Sequence, residues 1–182
     1  MTSTASAPTL PVDDARLPAT FLFTDIVGST EMLTMLGEET WLHALREHNA
    51  VVREAAERNG GSTSKFLGDG WMITFGCPRH ALDTALEIQR VLAEDPSEDG
   101  FRVRIGIHTG NAITEHNDFV GKDVVLASRI THEAGAGEIV ASADIVDVLG
   151  PTDGMWDRFD GGRIVHLKGL GPHLVFGVRW AA

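Results

Sequence analysis

FLFTDIVGST, residues 21–30, holds an apolar run, Phe21-Leu22-Phe23, a carboxylate, Asp25, and then Gly28-Ser29-Thr30 opening a long helix-like segment. The stretch reads as a strand, a tight turn and a helix start. A carboxylate at the end of a strand is placed to hold a divalent metal. The backbone N–H groups of such a turn and of the helix N-terminus are placed to cradle phosphates. A simpler reading fits equally well, with Asp25 only a polar strand end and Ser29 or Thr30 a helix N-cap.

A second stretch, KFLGDGWMITF at residues 65–75, reads as strand, turn, strand. Asp-Gly between β-prone apolar runs is a strong hairpin signal. Asp69 then either only makes the turn or, if this hairpin neighbours the first strand, stands beside Asp25. Two adjacent carboxylates repel unless cations sit between them. Two Mg²⁺ ions bridged by such a pair are the parts of a phosphoryl or nucleotidyl transfer site.

Bulk properties agree with one soluble domain. The chain has 182 residues, 43% hydrophobic and 23% charged, enough for a single core. A formal net charge of −11 disfavours nucleic acid and anionic membrane surfaces as partners. One cysteine, Cys77, excludes an internal disulfide and points to a reducing, cytoplasmic compartment. No apolar run reaches transmembrane length and no signal peptide is visible. The eight histidines show no metal-motif spacing and read as surface or satisfied core residues.

Residues 1–16, rich in Ser, Thr, Ala and Pro, read as a flexible tail, and 17–182 as the folded domain. A strand is expected from Pro18 to Thr24. A helix follows over Ser29–Asn59, with Gly37 placed to break or bend it and Gly60-Gly61 to end it. Strands at Thr63–Leu67 and Trp71–Phe75 precede a helix over Pro78–Ala93 and an acidic loop over Glu94–Gly100. Phe101–His108 alternates as a strand, and Asn111–Val120 reads as a hairpin or arm. The rest gives a helix at Lys122–Ala134, a strand at Glu138–Ala141 and a Ser-capped helix at Ser142–Leu149. Two last strands are expected at Arg158–Leu167 and Pro172–Val178. Interleaved strands and helices without internal repeats predict an α+β sandwich.

Asp25 in FTDIVGST, Lys65 and Asp69 in KFLGDG, and Asp118 to Arg129 in DFVGKDVVLASR resemble, in order and spacing, the class III nucleotidyl cyclase catalytic domain. The resemblance runs from about Ala19 to about Val178. It implies a ferredoxin-like βαββαβ core, similar to a polymerase palm, in a homodimer whose sites lie at the subunit interface. Met32, Trp41, Trp71 and Phe119 are then candidates for interface as well as core. The implied reaction is attack of a ribose 3′-oxygen on the α-phosphorus of ATP, giving 3′,5′-cyclic AMP and pyrophosphate. Two Mg²⁺ or Mn²⁺ ions would be held by Asp25, Asp69 and the Ile26 carbonyl. Backbone N–H groups of Val27, Gly28, Ser29 and Thr30 would hold phosphates.

By the same resemblance, Lys65 and Asp118 would read adenine, Arg129 would stabilise charge on the α-phosphate, and Lys168 would bind the terminal phosphates. Adenine offers an acceptor at N1 and a donor at its amino group, which suits Lys and Asp. Guanine reverses both. One position departs from the family. Four residues before Arg129, where the family has a ribose-orienting asparagine, stands Val125. Loss of such a group costs on the order of 10²–10³ in rate. The leading expectation is therefore an adenylate cyclase, slow at Val125. The alternative is a cyclase-fold nucleotide-binding or regulatory module with little catalysis. A palm-type transferase acting on two nucleotides has no GGDEF-like signature to support it.

Overall fold

A computed structural model describes residues 16–94, 102–115 and 118–181. In chain order the elements are β1 (Arg16–Ile26), α1 (Ser29–Leu36), α2 (Glu38–Arg58), β2 (Ser62–Phe66), β3 (Trp71–Phe75), α3 (Pro78–Ala93), β4 (Val103–Glu115), β5 (Asp118–Val120), α4 (Lys122–Thr131), β6 (Ile139–Ser142), α5 (Ala143–Leu149), β7 (Arg163–Leu167) and β8 (Gly171–Gly177). They form one sheet of order β2-β3-β1-β4-β6-β8-β7, with β5 added to β4. The segment β1-α-β2-β3-α3-β4 with strand order β2-β3-β1-β4 is the ferredoxin-like core that the family resemblance implied.

Period-two alternation sorts β1 between two cores. Leu22 and Ile26 join Ile73, Ile105 and Ile107 under the apolar sides of α2, α3 and α5, which carry Val52, Leu82, Ile88 and Ile145. Each fully buried Leu or Ile of this layer is worth roughly 2 kcal/mol. Phe21 and Phe23 point the other way, with Met72, toward Ala127 of α4. Two glycines let α4 approach β4. A Cβ at Gly106 would lie 2.3 Å from Thr131 Oγ1, and one at Gly110 would lie 2.3 Å from Asp123 Oδ2. Helix α4 lies over β4 and β1, so on its side of the sheet the hairpin β2–β3 is left open.

Several expectations change. Arg16, expected in the tail, belongs to β1 with Leu17, the two paired with Ile113 and Ala112, while residues 1–15 of the expected tail lie outside the described residues. Most of the acidic loop and Phe101 also lie outside them. The expected strand and arm are largely one strand, β4, which continues to Glu115 because β1 and β5 supply partners on its two edges. Gly37, at φ 77°, separates α1 from α2. Ser142 occupies the N-cap position of α5 but caps nothing. Its hydroxyl lies 2.8 Å from His108 Nδ1 instead. The expected strand over Arg158–Leu167 begins only at Arg163, after a short 3-10 turn at Trp156–Arg158. Met32, Trp41 and Trp71 are half-buried against the larger core and Phe119 against the smaller one.

Candidate active site

Asp25 falls in the last two residues of β1 and faces the same side as Phe21 and Phe23. Its partner across the strand pair is Arg104 of β4. Arg104 Nε donates to Asp25 Oδ2 at 2.6 Å, and a terminal guanidinium nitrogen donates to the same oxygen. The two side chains are only 27% and 24% exposed. Arg104 was missed in the sequence because an arginine at a polar position of an alternating strand looks solvent-facing.

The β2–β3 turn delivers Asp69 to the same corner. Its closing bond runs from Leu67 N–H to Gly70 C=O at 2.8 Å, so Gly68 and Asp69 are the central residues, with Gly68 at φ 102°. The turn is therefore not centred on Asp69-Gly70. Gly70 serves another need: a Cβ there would lie 1.9 Å from the Thr24 carbonyl oxygen. That close approach lets Ile26 N–H donate to Asp69 C=O at 3.3 Å and Trp71 N–H donate to Thr24 Oγ1 at 3.0 Å. Behind it, Trp71 Nε1 donates to Asn49 Oδ1 at 2.8 Å, and buried His48 adjoins Asn49 at 3.3 Å. Burial holds the His48 pKa down at about 4, against smaller upward pulls from Asn49 and the Asp69 charge.

Ser29 does not cap α1. Gly28 takes the N-cap position, and Ser29 Oγ donates to Asp69 Oδ2 at 2.6 Å. The expected phosphate cradle is also corrected at one residue. Val27 N–H donates to Arg102 C=O at 2.9 Å, leaving Gly28, Ser29 and Thr30 as the backbone donors without partners among the described residues.

Lys65 Nζ lies 2.6 Å from Asp118 Oδ2, an ion pair at the open face with side chains 51% and 35% exposed. Asp118 Oδ1 accepts from Phe119 N–H at 2.9 Å. The Lys65 hydrogen bond, with that backbone bond, lowers the Asp118 pKa. Phe119 packs edge-on against Phe21, ring centroids 5.7 Å apart, which anchors the β5 arm over β1.

The remaining expected residues stand apart. Val125 and Arg129 share the exposed side of α4, opposite buried Leu126, Ala127 and Ile130. Lys168 is exposed in the β7–β8 turn, four strand positions from β1, or about 19 Å along the sheet. Among the described residues, no hydrogen bond or ion pair joins Arg129 or Lys168 to Asp25, Asp69, Lys65 or Asp118.

One histidine departs from the expectation of satisfied residues. His108 is buried, and its Nε2 has no hydrogen-bond partner among the described residues, with Asp123 Oδ1 at 3.8 Å. Burial lowers its pKa, while Asp144 and Asp123 pull it up. Asp123 Oδ2 accepts from Asn111 N–H at 2.7 Å and so ties the start of α4 to β4.

Among the described residues, no helix is long and apolar enough to cross a membrane. The adenylate and guanylate cyclase catalytic domain profile matches residues 14–178. The chain is 32% identical over 167 residues to an adenylate cyclase of Mycosarcoma maydis, a match covering 76% of this chain and 6% of that protein. It is 31% identical over 150 residues to an adenylate cyclase of Lachancea kluyveri, covering 68% and 8% respectively. The chain thus spans under a tenth of the length of these relatives. The crystal structure of the guanylyl cyclase Cya2 superposes with a TM-score of 0.79 at 25% identity, over 91% of this chain and 93% of that one. With this fold and a profile match over nearly its whole length, the chain belongs to the adenylate and guanylate cyclase catalytic domain family.

Proposed function

We propose that this chain is an adenylate cyclase that converts ATP to 3′,5′-cyclic AMP and pyrophosphate at the interface of a homodimer, with residues 17–182 as its catalytic domain in the cytoplasm. The observation that carries the choice of base is the Lys65–Asp118 pair, a donor and an acceptor preset at 2.6 Å on the open face. Lys65 would donate to adenine N1 and Asp118 accept from the 6-amino group. Guanine would leave both charges facing groups of the wrong polarity.

Separation within one chain supports the dimer: among the described residues, no hydrogen bond or ion pair joins the side chains of Asp25 and Asp69 to Lys65, Asp118 or Arg129. One copy would supply Asp25, Asp69, Ile26 and the Gly28–Thr30 donors. Its partner would supply Lys65, Asp118, Arg129 and Lys168. Exposed Leu67, Val120 and Val125 are the apolar residues such an interface would cover.

The corner offers two carboxylates and backbone oxygen but, among the described residues, no cluster of three or more acidic, His or Cys side chains. That hard, sparse donor set fits Mg²⁺ or Mn²⁺, which keep waters and take ligands from substrate phosphates. Two such ions, when bound, would supply activation of the 3′-hydroxyl and charge neutralisation on the triphosphate. The chain's own residues would do the rest. The turn N–H groups would orient phosphates, Lys65 and Asp118 the base, and Arg129 the charge developing at the α-phosphate.

A second reading, a cyclase-fold module that binds nucleotide with little turnover, is favoured by one observation. Val125, 47% exposed on the Arg129 side of α4, offers no polar group to the ribose. Cyclic nucleotide formation from ATP and from GTP, with Mg²⁺ or Mn²⁺, separates the readings. Cyclic AMP from the wild type, abolished by Asp25→Ala or Asp69→Ala in folded protein, is expected. Mixing Asp25→Ala with Lys65→Ala chains is expected to restore one whole site. No recovery in a proven heterodimer refutes the shared site.

A further inference from the structure

We propose that Arg104 is a resident counter-ion of the carboxylate corner: it holds Asp25 before a divalent cation arrives and weakens the binding of that cation. The inference rests on the reading of Asp25 and Asp69 as metal ligands and goes beyond it, because Arg104 is not among those ligands.

The two carboxylates are tied differently. Asp69 Oδ2 accepts from a neutral hydroxyl, Ser29 Oγ, at 2.6 Å. Asp25 Oδ2 accepts from two nitrogens of one guanidinium, which brings a full positive charge. Register fixes that contact, since Asp25 and Arg104 are direct partners across β1 and β4. With about a quarter of each side chain exposed, the pair lacks the freedom and solvent screening that make most surface ion pairs weak. Arg104 therefore does two things in the nucleotide-free protein. It offsets the charge of one of two neighbouring carboxylates, and it sets the orientation of Asp25 so that Oδ2 faces β4. A divalent cation at the corner must either share Asp25 with this charge or displace it, and both lower its affinity.

The test is Mn²⁺ titration of the nucleotide-free full chain, followed through the spectrum of free Mn²⁺, with thermal melts of the same samples. Arg104→Met keeps the aliphatic stem and removes the charge. It is expected to tighten Mn²⁺ binding by about tenfold and to lower the melting temperature without metal. Arg104→Gln, which keeps a donor but no charge, is expected to act in the same direction and covers the case in which methionine unfolds the strand. Arg104→Lys keeps the charge without the fork and is expected to stay within about threefold of wild type. A merely structural arginine would lower stability in all three variants without tightening metal binding. Asp25→Asn is the control. If it loses Mn²⁺ affinity while the folded Met and Gln variants bind no tighter than wild type, Arg104 does not compete and the inference is overturned. If Asp25→Asn binds like wild type, the metal reading fails, and the inference with it.

Discussion

The carboxylate corner and the exposed side of α4 are the two regions expected to carry the chemistry, and they are built in opposite ways. At the corner both carboxylates and the turn are held within the chain: Asp25 by Arg104, Asp69 by Ser29, and the turn by Thr24 and Ile26. On α4 the buried side is fixed by Leu126, Ile130 and the two close-approach glycines, while Val125 and Arg129 face solvent. The carboxylates of the corner are oriented by folding alone, whereas the α4 side presents Val125 and Arg129 to solvent. Changes at the corner should therefore register in stability as well as activity, and changes on α4 in activity alone.

Gly70→Ala gives the largest expected break. Its Cβ would overlap the Thr24 carbonyl oxygen at 1.9 Å, and backbone cannot yield as a flexible side chain does. A loss of about 3 kcal/mol or more is expected by denaturant unfolding, since the β2–β3 turn must lift off β1. Wild-type stability in this variant would show that the corner is looser than described.

His48, packed behind the corner, makes its stability sensitive to pH. The folded pKa of about 4 lies below the ordinary 6.5 because burial disfavours the charged ring. Between those values the unfolded chain takes up a proton that the folded chain refuses. Stability is thus complete above about pH 6.5 and falls as pH drops toward 4, by about 3 kcal/mol. His108, also lowered by burial, acts in the same direction. His48→Gln is expected to flatten the curve in this window, leaving the share of His108. An unchanged slope would mean that His48 is not the group titrating.

The sequence made the corner partly legible and its ties illegible. Asp25 and Asp69 stand out because a turn and a strand end flag them locally. The alternating and helical periods, which mostly agree with the final elements, made an α+β sandwich legible, while the ferredoxin-like order came from the family resemblance. Arg104 gives no such flag, because its meaning comes only from the β1–β4 register, set by residues 79 positions apart. Residues 109–115 lack clean alternation and are made a strand by their neighbours, so tertiary pairing overrode local pattern. In Leu67-Gly68-Asp69-Gly70 the Asp-Gly signal located the hairpin. It did not show which glycine takes the positive φ and which makes the close approach.

Val125→Asn probes the other region. Valine and asparagine are similar in size, and the site is 47% exposed, so stability should shift by less than about 0.5 kcal/mol. If the apolar side chain is what slows turnover, kcat for ATP should rise about tenfold, with KM little changed, because the gain acts on transition-state geometry. An unchanged or lower kcat in the folded dimer would sink that account and favour the weakly catalytic module.

The smallest stability effect is expected at Lys65 and Asp118, and its smallness is informative. The pair is short, at 2.6 Å, but its side chains are 51% and 35% exposed. Solvent screening and the entropy of holding a lysine limit such pairs to about 0–1 kcal/mol. A double-mutant cycle with Lys65→Met and Asp118→Asn should therefore give a coupling below about 0.5 kcal/mol in unfolding. The same variants should lose most of the preference for ATP over GTP, because each removes one side of the complementarity to adenine. A geometry kept for so little stability is best accounted for by a ligand. A coupling of several kcal/mol with base preference intact would reverse that conclusion and make the pair a strut between β2 and β5.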